Sequence, residues 1–161
     1  MESVETVLTW SEAMVDALRE LATSTWGSEI EVLEPSPKRF PRGIPGSYIA
    51  LVGDHFNFEF GVAALWGGCE SLAKKLLFME DDDVLDEPEV ADAMNEIANM
   101  IGGGVKRRMS EFDAGLKLGL PTFFEGPITP TSEQDSSYAA VVVEGVTAYL
   151  VALKHRAHSQ S

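Results

Sequence analysis

Two pairs of β-forming runs, each pair closed by a turn of a few residues, constrain this chain more than anything else in it. Residues 47–54, SYIALVGD, and 56–65, FNFEFGVAAL, read as strands around a turn at GDHFN. Residues 138–144, YAAVVVE, and 147–155, TAYLVALKH, do the same around Gly145. Strands joined so closely must run antiparallel, because a parallel pair needs a crossover of about a dozen residues or more. Helical patterns fall singly or as a pair between these groups instead of alternating with each strand. The sequence therefore predicts an α+β fold, an antiparallel β-sheet with helices packed on it.

The helices announce themselves by spacing and by caps. Thr9 followed by Glu12 has the form of a capping box, and Trp10, Met14, Leu18 and Leu21 then recur at helical intervals, predicting a first helix near 10–24. A glycine stop and a short β-like run, Ile30–Leu33, follow. Residues 35–46, PSPKRFPRGIPG, carry four prolines and two glycines and read as loop. A second helix over 67–78 would bury Cys69, Leu72, Ala73, Leu76 and Leu77. Asp86 with Glu89 forms another capping box, with Pro88 in the first turn where its missing N–H does no harm, and opens a third helix. Beyond it, 116–126 reads as a strand interrupted or ended near Pro121, and 127–137 as a polar loop. Residues 154–161 are expected to form a tail outside an ordered core of roughly 10–153.

Composition narrows the function classes. A chain of 161 residues is one domain's worth and long enough for a core without disulfides. A formal net charge of −14 argues against nucleic acid and anionic membrane surfaces as partners. The apolar runs, such as Ala139–Val143, are far too short to span a bilayer, and MESVETVLTW lacks the basic and apolar regions of a signal peptide. With a lone cysteine, Cys69, the expectation is a reducing cytoplasm.

The third helix holds the most unusual composition. Residues 92–106, DAMNEIANMIGGGVK, carry two asparagines, two acids and three consecutive glycines. At about 100° per residue, Val90, Met94, Ile97, Ile101 and Val105 share one side and form a core stripe. Asp92, Glu96, Asn99, Gly103 and Lys106 line up opposite, within roughly 80°. Met109 and Phe112 continue the apolar phase, so the helix is predicted to run through Gly102–Gly104 at a cost of about 1 kcal/mol for each glycine. Glycine permits close packing on a sheet; on the polar stripe, Gly103 would instead let a partner's backbone or a phosphoryl group approach.

This segment resembles the signature of the CheC/CheX/FliY family of bacterial chemotaxis phosphatases, whose helix carries Glu-x-x-Asn preceded four residues earlier by Asp or Ser. Here the matching residues are Glu96, Asn99 and Asp92. CheX-like members commonly continue Asn-Met-Ile-Ala-Gly-Asn-Ala-Lys, where this chain has Gly104 in place of the second asparagine. Residues 61–77 and 116–126 resemble the family's earlier strand-to-helix junction and its later strand. The resemblance spans roughly residues 10–153, and no second Glu-x-x-Asn copy occurs in the first two helices, which points to the CheX-like branch.

The resemblance implies a single CheX-like domain over 1–161 that removes the phosphoryl group from the aspartyl phosphate of a CheY-like receiver. Asn99 would orient the attacking water, Glu96 would pair with the receiver's lysine, and Asp92, Gly103 and Lys106 would support partner binding. No cofactor would be held by this chain; Mg²⁺ would come with the receiver. The resemblance also implies a homodimer through sheet edges. Two readings stay open beside it: a non-catalytic module that binds receivers or flagellar-switch components through the same face, and a small-molecule binding domain, for which no motif speaks. His55, His155 and His158 are scattered, Glu80–Asp83 lacks ion-loop spacing, and Cys69 has no histidine placed to activate it.

Overall fold

The computed structural model describes residues 6–126 and 130–156. The described chain runs α1 (Val7–Leu21), a π turn (Ala22–Trp26), β1 (Glu31–Val32), β2 (Pro45–Val52), β3 (Asn57–Ala63), α2 (Trp66–Leu76), α3 (Glu87–Met109), β4 (Lys117–Leu118), β5 (Thr122–Glu125), β6 (Gln134–Val143) and β7 (Val146–His155). The strands form one antiparallel sheet in the order β1-β6-β7-β3-β2-β4, with β5 also paired to β2. The α+β prediction and both hairpins hold.

Alternation along the strands gives the sheet two buried faces. Ile49, Leu51, Phe58, Phe60, Val62, Val141, Ala148 and Leu150 turn towards the three helices and make the main core. Trp10 of α1 stacks on Phe58 at 4.4 Å between ring centres, seating the first helix on the middle of the sheet. On the other face Phe40 and Ile44 fold back over Ala63, Val151 and Leu153, so part of the proline-rich loop serves as a lid on the sheet. Helix α3 packs against α1, α2 and β2.

Several boundaries differ from expectation, each for a local reason. The first helix starts at Val7 with Thr6 as its N-cap, and the Thr6 N–H donates to Thr9 Oγ1 at 3.4 Å; Thr9–Glu12 is not the cap. Val7 packs against the core, which draws the first turn back along the chain. The helix ends through the π turn on Gly27, whose φ of 64° suits glycine. Strand β6 begins at Gln134, inside the stretch read as loop, because Gln134 and Asp135 pair with His155 and Lys154. The same pairing keeps Lys154 and His155 in β7, so the tail does not begin at 154; residues 157–161, with His158, lie outside the described residues. The 116–126 strand is broken into β4 and β5 at Gly119–Pro121, as its proline suggested. Phe112 lies past the end of α3 but still packs on the core.

Candidate functional site

Helix α3 is capped at its start and matched in charge at both ends. Asp86 Oδ1 accepts from the Glu89 N–H at 2.8 Å, and Glu89 Oε1 accepts from the Asp86 N–H at 3.1 Å, closing the predicted capping box. Glu87 and Glu89 occupy its first turn and Lys106, Arg107 and Arg108 its last, matching the helix dipole at both ends. Glu20 of α1 receives hydrogen bonds from both Arg107 and Arg108, which hold its carboxyl below the usual carboxylate range, the Arg108 hydrogen bond first.

The predicted core stripe of Val90, Met94, Ile97, Ile101 and Val105 is buried throughout. The opposite stripe faces solvent: Asp92, Glu96 and Lys106 are exposed, Asn99 and Gly103 half-buried. Among the described residues, neither Glu96 nor Asn99 spends its side chain on a hydrogen bond within the chain. Three positions apart, they stand about one helical turn from each other and can enter a single cleft together.

The three glycines separate into two kinds. A Cβ on Gly104 would lie 2.7 Å from Ala17 Cβ of α1, and one on Gly102 would lie 2.6 Å from Leu118 Cδ1 and 3.0 Å from Phe60 Cζ. Both therefore let α3 press onto its neighbours. A Cβ on Gly103 would meet nothing within 4 Å. The chain's own packing explains two of the glycines and leaves the third, on the polar stripe, without an internal reason.

The segment's other asparagine escaped the sequence reading. Asn95 Oδ1 accepts a hydrogen bond at 2.8 Å from Ser47 Oγ, a fully buried hydroxyl on β2. The one available signal was Ser47 itself, a polar residue in phase with inward-facing Ile49 and Leu51. Nothing in the sequence links it to a residue so far along the chain.

The remaining candidates stay structural. Cys69 is buried, its thiol directed at the Pro45 and Ala64 carbonyls and pushed up to about 11, chiefly by burial. Glu80–Asp83 closes on itself, with the Glu80 N–H donating to Asp83 Oδ2 at 2.8 Å. Among the described residues there is no cluster of three or more histidine, cysteine or carboxylate side chains suited to a metal ion. No helix there is long and apolar enough to cross a membrane.

Comparison with known proteins places the chain in a family. The family model described as chemotaxis phosphatase CheX matches residues 46–144, which take in β2 from Gly46 onward, α3 and the Glu96–Asn99 pair. The chain belongs to this CheX family of chemotaxis phosphatases. Among solved structures it is similar to chemotaxis protein CheX from Vibrio vulnificus (20% identity, 91% of this chain and 99% of that one, TM-score 0.75). It is similar also to a CheC-like superfamily protein from Shewanella sp. PV-4 (18% identity, 95% and 100% covered, TM-score 0.76). A third match is to the CheX–CheY–BeF₃–Mg²⁺ complex from Borrelia burgdorferi (21% identity, 91% and 98% covered, TM-score 0.71). No curated protein sequence matches the chain.

Proposed function

We propose that the exposed face of α3 receives the phosphorylated receiver domain of a CheY-like response regulator and that the chain hydrolyses its aspartyl phosphate. Family membership supports the phosphatase activity, and a relative solved with CheY supports the partner. One observation carries the assignment of residues: Glu96 and Asn99 stand side by side on an exposed helix face with no internal hydrogen-bond partner among the described residues.

In this reading the Asn99 carboxamide holds a water in line with the phosphorus. The water's oxygen bonds to phosphorus, the bond to the aspartyl oxygen breaks, and inorganic phosphate leaves with the receiver's carboxylate restored. A neutral amide suits the task, since a carboxylate there would be repelled by the phosphoryl oxygens. Glu96 pairs with the receiver's lysine, and Mg²⁺ is carried by the receiver. Catalysis is then by positioning, with no covalent bond formed to this chain. Asp92 and Lys106 flank the contact, and Gly103 leaves room for the receiver's backbone. The reaction belongs in the cytoplasm, and the chain works as a homodimer joined at a sheet edge.

The test is Asn99→Ala. Dephosphorylation should be abolished while binding to the phosphorylated receiver is retained; unchanged turnover would sink the assignment. Gly102 and Gly104, where the chain departs from the alanine and asparagine common in CheX-like members, are accounted for by packing and leave the exposed stripe undisturbed, so they give no ground for the binding-module alternative.

A further inference from the structure

From the Ser47–Asn95 hydrogen bond we infer that Ser47 is a positioning residue: it sets the roll of α3 about its axis and so the direction in which Asn99 is presented. The inference rests on the phosphatase reading for its kinetic consequence, but not for its structural one.

Ser47 is an anomaly by its surroundings. It lies on the inner face of β2, flanked in register by Val62 of β3 and Phe123 of β5, and is 0% exposed. Among the described residues it is one of three buried polar side chains, and the one that bonds to α3. A hydroxyl in such a place costs stability unless it is hydrogen-bonded. An aliphatic side chain would suit the core better, so the hydroxyl's use is the directional bond it donates to Asn95.

That bond meets α3 where its direction matters. Asn95 is adjacent to Glu96 and one turn before Asn99, and it lies about 40° around the helix from Asn99, on the border of the exposed stripe. Along the middle of α3 the contacts are apolar: Gly102 packs against Leu118 and Phe60, and Gly104 against Ala17. Such contacts fix distance well and rotation poorly, because burial is non-directional. Arg107 and Arg108 tie the helix to Glu20 near its C-terminal end, about three turns beyond Asn95. With side-chain tips about 5–6 Å from the helix axis, a roll of about 10° displaces the Asn99 carboxamide by about 1 Å. A displacement of that size costs up to about a hundredfold in a reaction that depends on positioning.

The experiment compares wild type, Ser47→Ala, Asn99→Ala and the double variant, with Ser11→Ala, a buried serine on α1, as the control. Ser47→Ala should fold, because the freed Asn95 amide is half-exposed and can turn to water. With a phosphorylated receiver, Ser47→Ala should lower kcat by about tenfold or more while KM and receiver Kd stay within about twofold. The double variant should be no slower than Asn99→Ala alone, since both act through one group. NMR of the side-chain amides gives an independent readout: the Asn99 resonances should move in Ser47→Ala and stay in Ser11→Ala. Wild-type kcat in Ser47→Ala, a loss confined to binding, or unmoved Asn99 resonances would each overturn the inference. If wild type dephosphorylates no receiver yet the Asn99 resonances move, the phosphatase reading falls and the positioning role stands.

Discussion

Replacing Gly103 by alanine puts a favourable and an unfavourable consequence on the same residue. In an exposed helix interior, alanine is about 1 kcal/mol better than glycine. Because a Cβ at 103 meets nothing within 4 Å, nothing offsets that gain. For a chain of this size the melting temperature should rise by about 2–4 °C. Gly104→Ala has the same propensity gain but drives a methyl to 2.7 Å from Ala17 Cβ, which is held directly on the α1 backbone and cannot swing away. Overpacking of that kind costs about 1–3 kcal/mol, so Gly104→Ala should be neutral to destabilising. The difference between the two variants isolates the α1–α3 contact, and urea unfolding with equal m-values measures it. Equal stability of the two would refute the packing argument. If Gly103 is glycine for the receiver's sake, the stabilised Gly103→Ala should also show a raised KM for phosphorylated receiver. Undiminished turnover and affinity would show that the partner makes no use of the bare backbone.

Three further outcomes are expected, two from the structure and one, the dimer, from the family resemblance. Asp113 is 3% exposed and accepts from the backbone N–H groups of His55 (2.7 Å), Phe56 (3.3 Å) and Gly115 (2.9 Å), with His55 the foremost cause of a carboxyl held below its ordinary range. A depressed folded value means the stability is present above the unfolded carboxyl's value, about 3.9, and is lost as pH falls through the folded one. Asp113→Ala should therefore melt lower at neutral pH and lose less on acidification; an unchanged slope of melting temperature against pH would contradict this. Cys69, buried and with its thiol pushed up to about 11, should react with a thiol reagent near neutral pH only as fast as the protein unfolds, and immediate labelling of the native chain would count against its burial. Light scattering should return twice the chain mass of 17.5 kDa, and a monomer would remove the dimer from the proposal.

What was legible in the sequence was what depends on near neighbours. The Asp86–Glu89 box and the apolar period of α3 are local, and together they placed Asp92, Glu96, Asn99, Gly103 and Lys106 on one exposed face. The N-terminal cap went astray because Thr6 and Thr9 both offer a capping hydroxyl, and only the packing of Val7 decides between them. The polar start of β6 was hidden because its pairing with the end of β7 uses backbone groups, which carry no side-chain signature. Contacts across the fold were out of reach altogether. The sequence does not say which glycine faces Ala17 and which faces Leu118, nor that Ser47 bonds to Asn95.

A phosphatase turns over a receiver's aspartyl phosphate, whereas a binding module only holds it. The measurement that separates the two most directly is the decay of a phosphorylated CheY-like receiver, with Mg²⁺ present, at a small fraction of an equivalent of the protein. The expected result is loss of phosphate from many receivers per chain, with wild-type acceleration absent in both Glu96→Ala and Asn99→Ala. Decay that stops accelerating once each chain has met one receiver, or that both variants reproduce, would contradict the phosphatase reading.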